Sequence, residues 1–185
     1  DGAPGLDPRH GYPGLNDNAA GGSPLENASV MRFQRALLDA GSSANVIALT
    51  ETARTAQDAA DSVECALGAI VKSLVFRVEG RAVLALVAGD RQCDTKALPL
   101  ALGMTGKCKR ADADLVRAAT GFAIGGVAPL GHPTQLPTAI DQSLGRFETL
   151  YAAAGHPYCV FPTNLAELVN LTGGSLSDQL SHTIG

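Results

Sequence analysis

One lysine stands inside an apolar run that would otherwise read as a buried strand. Lys72 interrupts Ile70-Val71-Lys72-Ser73-Leu74-Val75-Phe76, and strand alternation places it on the face of Ile70, Leu74 and Phe76. An ammonium there is costly unless it meets an anion, a carbonyl array or a water-filled cleft. In a cleft it would bind a phosphate, polarise an ester carbonyl or, after a drop in pKa, act as a base. At a strand edge it would only snorkel to solvent. The residues leave both readings open.

A second segment, Thr120-Gly121-Phe122-Ala123-Ile124-Gly125-Gly126-Val127-Ala128-Pro129, has three glycines and a proline in ten residues and no acid or base. Glycines let main-chain N–H groups approach a ligand, and Pro129 fixes the exit. Such donors suit an oxyanion hole or a cradle for a carboxyl-derived group. The segment is neither a phosphate-binding loop ending in G-K-[ST] nor a dinucleotide fingerprint.

The histidines add two candidates. His132 and His156 each precede a proline, which places them on extended or turn segments. Either has the chemistry of a general base, although a structural histidine is the commoner case. His10 and His182 lie near the ends of the sequence. No G-x-S-x-G elbow marks a nucleophile, and no constellation suggests a metal, so neither metal nor cofactor is expected. Cys65, Cys93, Cys108 and Cys159 form no C-x-x-C pair and have no histidine at zinc spacing. They read as reduced, partly buried thiols.

These residues must be held by an ordinary small domain. The chain has 185 residues, 45% of them hydrophobic and only 17% charged, with no tryptophan, which suits one core of Ala, Val, Leu and Ile. Residues 1–28 form a Gly/Pro-rich N-terminal extension with no apolar period, and the domain is expected over 29–185. Ser29 is a plausible N-cap for a helix carrying Val30, Phe33 and Leu37 and stopped at Gly41. A short strand is expected within Asn45–Leu49, and Thr55-Ala56-Gln57-Asp58 has the form of a capping box. Ile70–Val78 and Arg81–Ala88 flank Glu79-Gly80 as a hairpin of buried strands.

Further helices are expected over Asp94–Leu102, over Asp112–Ala119, and after Thr163 until Gly173. Pro137–Asp141 and Tyr158–Phe161 are strand candidates. The irregular mixture implies an α+β fold with a mixed, largely antiparallel sheet flanked by helices.

The net charge of −4 argues against indiscriminate nucleic-acid binding, and no specific DNA binding is expected. It allows a local basic patch at Lys107, Lys109 and Arg110, which reads equally as a solvated loop. With no secretory segment or membrane-length apolar run in view, the cytoplasm is the expected location and no membrane partner is expected.

Three segments in order carry a resemblance: Ile70 to Phe76, Thr120 to His132, and Leu136-Pro137-Thr138-Ala139-Ile140-Asp141. They resemble the motifs of the YbaK/EbsC family, free-standing relatives of the editing domain of bacterial prolyl-tRNA synthetases. The resemblance implies the YbaK/prolyl-tRNA synthetase-associated fold and hydrolysis of a wrong amino acid from tRNA. It implies the acceptor end of aminoacyl-tRNA, chiefly proline tRNA, as partner, with prolyl-tRNA synthetase as a candidate second one.

By that resemblance Lys72 contacts the terminal nucleotide or the ester. Gly125, Gly126 and Val127, followed by Ala128 and Pro129, hold the aminoacyl end through backbone groups. His156 resembles a pocket histidine of alanine-clearing members, and Ser73 stands where those members carry Asn. Phe76, Ile124 and His132 complete the expected substrate-binding set. A non-catalytic nucleotide- or tRNA-binding module would use the same lysine and loop, and only an assay separates the two.

Overall fold

The computed structural model describes residues 23–49 and 55–184; residues 1–22 of the expected N-terminal extension lie outside the described residues. Five α-helices are described: α1 (Ala28–Asp39), α2 (Ala56–Val63), α3 (Ala97–Ala101), α4 (Ala113–Thr120) and α5 (Leu165–Thr172). The strands are β1 (Ile47–Ala48), β2 (Ile70–Val78), β3 (Arg81–Ala88), β4 (Arg91–Cys93) and β5 (Cys108–Arg110). They continue with β6 (Thr138–Asp141), β7 (Leu150–Ala153), β8 (Cys159–Thr163), β9 (Ser175–Ser177) and β10 (Ser181–Thr183).

The β2–β3 hairpin is the spine, and its bounds are those read from the sequence. Glu79 and Gly80 both take positive φ, 49° and 79°, the turn whose twist matches two right-handed strands. Around it the main sheet runs β1-β8-β7-β2-β3-β6-β9, with β5 also paired to β2. The pairs β1–β8, β7–β8, β2–β3 and β2–β5 are antiparallel, whereas β2–β7, β3–β6 and β6–β9 are parallel. A separate ribbon pairs β10 with β4. The expected α+β class with a mixed, largely antiparallel sheet is borne out.

Both faces of the spine are covered, which explains its near-continuous apolar sequence. Val71, Val75, Leu84 and Leu86 face the larger core with Val30, Phe33 and Leu37 of α1, Val116 of α4 and Leu168 of α5. Phe76, Val83, Ala85 and Val87 face a second core with Leu98 of α3. α2 closes a third over Ile70 and Val160.

The helix ends follow cap chemistry, sometimes one or two residues from where the sequence suggested. Asn27, not Ser29, caps α1, its side chain accepting from the Ser29 amide at 2.8 Å. Asn164, not Thr163, caps α5. The Thr55–Asp58 capping box is formed in both directions, and α4 falls where a helix over Asp112–Ala119 was expected, capped by Asp112 and Gly121. Leu25, in a short 3-10 turn (Pro24–Glu26), packs against the larger core, so packed structure begins before residue 29.

The four cysteines are free thiols. Burial pushes Cys93 and Cys159 up to about 12, with neighbouring acidic groups adding to the effect at Cys93. Since the thiolate is the reactive form, a colorimetric thiol reagent at neutral pH is expected to modify Cys65 and Cys108 at most in the folded protein. All four should react after denaturation. Rapid modification of Cys93 or Cys159 in the native state would contradict this packing.

Candidate functional site

β2 is paired on its outer edge by β7 at Ile70 and Val71 and by β5 from Phe76 onward. Between these partners the sheet has a gap. The Ile70 carbonyl accepts from Gly89 on the β3 side, and the Val75 carbonyl accepts from Ala111 on the other. Strand alternation therefore turns the Ser73 amide and carbonyl into the gap, where neither has a partner strand.

A cavity of about 330 Å³ occupies this gap. Its floor is β2 from Ile70 to Val75. One wall is Ile124, Gly125 and Val127 of the glycine-rich loop, backed by Val116. The other combines the first turn of α2 with Tyr151, Pro157 and Val160, and Arg110 stands at the β5 end. Among the described residues no carboxylate, histidine or thiol lines it.

Lys72 lines the cavity and donates from Nζ to the Arg91 carbonyl oxygen. This is the carbonyl partner that an ammonium in an apolar run requires. Burial pulls its pKa below the usual lysine value; the nearby Cys93, Asp90 and Asp141 oppose that pull and Arg110 adds to it. Ser73 Oγ is buried and has no hydrogen-bond partner among the described residues. A polar atom left this way costs stability unless a ligand completes it.

The structure brings Lys72, Ser73, Ile124, Gly125 and Val127 to one cavity, and it places the other expected site residues behind its walls. Phe76 is 2% exposed and belongs to the second core, because alternation carries it past the gap into the region paired with β5. The Gly126 amide donates to the Ala123 carbonyl at 3.0 Å, so it is already spent on a turn. Ala128 is fully buried, and its carbonyl accepts from His132 Nε2 at 2.7 Å. Pro129 and His132 line a different, 190 Å³ hollow beside α5.

His132 is pulled to a lower pKa by burial; its bond to Ala128 opposes this and the Arg32 charge reinforces it. Its ring fastens the end of the loop as Arg32 fastens the beginning, through the Gly121 carbonyl at 2.7 Å and the Phe122 ring at 4.5 Å. His156 is buried, and Nδ1 accepts from the Tyr158 amide at 3.1 Å. Both histidines hold loops that shape the cavity and do not enter it.

Gly126 explains how the loop lies so close. A Cβ there would sit 2.9 Å from His156 Cα and 3.1 Å from the neighbouring backbone atoms. Backbone cannot swing aside as a side chain can, so Gly126→Ala is expected to destabilise the fold by about 1–3 kcal/mol. It should also push Gly125 and Val127 out of position. An unchanged urea midpoint would show that the loop relaxes freely.

The aminoacyl-tRNA editing domain family matches residues 50–171. The chain belongs to that family. A crystal structure described as a proposed trans-editing enzyme for prolyl-tRNA synthetase is similar at 40% identity and TM-score 0.78, covering 83% of this chain and 97% of that one. The structure of hypothetical protein APE2540, at 22% identity and TM-score 0.74, covers 82% of this chain and 99% of its own and supports the fold alone. Uncharacterized protein YwhH of Bacillus subtilis (strain 168) is 37% identical over 102 residues, 55% of this chain and 64% of that protein. The YbaK-like reading of the sequence is borne out. The editing-domain match takes in Lys72 and the whole glycine-rich loop. No helix among the described residues is long and apolar enough to cross a membrane.

Proposed function

We propose that this editing-domain protein is a trans-acting hydrolase that removes a small non-cognate amino acid, such as Cys, Ala or Ser, from proline tRNA. The observation that carries the reading is the gap in the sheet. It offers a lysine, an unpaired strand edge and a glycine-rich backbone to one small cavity, with no carboxylate, histidine or thiol lining it among the described residues.

Such a site acts by positioning and by electrostatics. Lys72 uses one N–H on Arg91 and has two more donors for the ribose or phosphate of the terminal nucleotide. Gly125 and Val127 line the same cavity and their amides have no partner among the described residues, which suits these amides to the oxyanion of the tetrahedral intermediate. Water adds to the ester carbonyl and the C–O bond to the ribose breaks. The ribose oxygen leaves with a proton, and the amino acid departs as its carboxylate.

Largely apolar walls at Val71, Val75, Ile124 and Val127 suit a small side chain better than a charged one. The related structure described for prolyl-tRNA synthetase supports proline tRNA as the carrier.

The test is single-turnover release of amino acid from proline tRNA charged with Ala, Cys, Ser, Thr or Pro. Rapid loss of one small non-cognate ester, with prolyl-tRNA spared, is the expected result. Tight binding of tRNA with no turnover on any ester would replace the reading with that of a binding module.

A further inference from the structure

The cavity opens beside a group of cations that ester hydrolysis itself does not use. The chain has 14 Lys and Arg, and Arg77, Arg81, Lys107, Lys109 and Arg110 meet where β5 joins the end of the β2–β3 hairpin. All five are exposed. Arg77 and Lys109 are register partners and so share one face, and Arg110 is partnered with Phe76, its guanidinium 5.8 Å from that ring. Arg110 also lines the cavity, and by strand alternation it lies on the opposite face of β5 from Lys109, so the cations flank the strand beside the cavity mouth.

Among the described residues no carboxylate forms an ion pair with Arg77, Lys107 or Lys109; the pair present there is Arg146–Asp90, elsewhere on the surface. Glu79 lies over Gly106, and Asp112 and Asp114 open α4, so acidic groups border the strip. Asp112 is already accepting from the Leu115 amide. In a chain of net charge −4, such a local excess favours a polyanion docked in one place over polyanions in general.

Among the described residues β5 pairs with β2 and with no other strand, and Lys109 and Arg110 on it are exposed, which leaves them accessible to a large partner. Lysines on an edge strand also deter edge-to-edge pairing between copies of a protein. That role would govern oligomeric state and leave RNA affinity untouched.

We propose that Arg77, Lys107 and Lys109 form the phosphate-binding strip for the stem of an RNA whose 3′ end enters the cavity past Arg110. The inference rests on the editing reading above and extends it from the reacting ester to the body of the substrate. Each phosphate neutralised releases condensed counterions, so affinity for the RNA depends on salt in proportion to the contacts made.

The test is a variant with Arg77→Gln, Lys107→Gln and Lys109→Gln together, which leaves every cavity residue in place. Two substrates are compared: full-length aminoacyl-tRNA and the same amino acid on a CCA trinucleotide. Anisotropy with uncharged tRNA across a salt series gives the slope of log affinity against log salt. The variant is expected to raise KM for the full-length substrate about tenfold or more at low salt and to flatten the slope by about 2. Its kcat and its rate on the trinucleotide should equal those of the wild type.

An unchanged slope and KM would overturn the proposal, as would an equal loss on the trinucleotide. A change in oligomeric state with unchanged RNA affinity would assign the lysines to edge protection and also overturn it. If the wild type hydrolyses neither substrate yet its tRNA affinity depends on the three cations as stated, the strip stands and the editing reading falls.

Discussion

Replacing Lys72 by alanine is expected to lower the rate of deacylation by about 10²-fold or more, the usual cost of removing one preorganised donor from a water-poor site. The ammonium is held at one point by the Arg91 carbonyl, so its remaining donors are aimed before substrate arrives. That preorganisation is what alanine removes. Lys72→Arg should not restore the rate, because a planar guanidinium cannot make the same point contact in a space shaped for an ammonium. Lys72→Met keeps the hydrocarbon stem and serves as the control for packing. It should retain the wild-type melting temperature while showing the same loss of rate.

The downward pull of burial on Lys72 sets the sign of a pH effect. With the ammonium as the working form, the Lys72-dependent part of the rate should fade on the alkaline side at a pH below the ordinary lysine value. The Lys72→Met protein should lack that limb. Wild-type rates from either variant would remove Lys72 from the mechanism.

Asp141→Ala should produce the largest loss of stability, about 3 kcal/mol or more. Asp141 is 2% exposed, and its carboxylate gathers three donors, two of them from distant parts of the chain and the third from the turn that follows it. Oδ2 accepts from the Ala88 amide at 3.1 Å and the Ser181 hydroxyl at 2.7 Å, and Oδ1 accepts from the Ser143 amide at 2.9 Å. Alanine would leave those donors without a partner, each at about 1–3 kcal/mol when buried. The damage should travel. Ser181 Oγ accepts from Arg91 Nε at 2.7 Å, and Arg91 supplies the carbonyl that holds Lys72.

Urea unfolding at an unchanged m-value measures the loss of stability, and the deacylation rate corrected for folded fraction measures the effect on Lys72. A shift below about 1 kcal/mol would mean that the three donors find other partners.

Asp141 also marks where the sequence stops being informative. The hairpin of β2 and β3 was legible because two long apolar runs flank a turn dipeptide, and α2 and α4 because their caps are local chemistry. β4, β5, β7, β9 and β10 were not. Each is three or four residues long, and none carries a pattern that survives without its partner. β4 is a strand because β10 reaches back to it, Cys93 pairing with Ser181 across most of the domain. The contacts of Asp141 with Ala88 and Ser181 depend on the same long-range closure.

The site divides in the same way. Lys72 was conspicuous because a charge in an apolar strand needs a reason, and Gly125 and Val127 because a glycine-rich apolar loop needs one too. The gap that unites them with Ser73 is set by where β7 stops and β5 starts, and neither strand was visible in the sequence. His132 and His156 were singled out from a proline that follows each, a signal for extended backbone that says nothing of which way a ring turns. Their rings face inward, where Ala128 and Tyr158 meet them.

The most direct measurement of the central claim, that the gap in the sheet receives the aminoacyl ester, is a crystal structure with a non-hydrolysable analogue. Adenosine carrying alanine through a 3′-amide in place of the ester is a suitable probe. The account predicts the aminoacyl group against Ser73, Gly125 and Val127, with the ribose within reach of Lys72 Nζ. Binding in the hollow beside His132, or anywhere that leaves the gap in β2 empty, would contradict it.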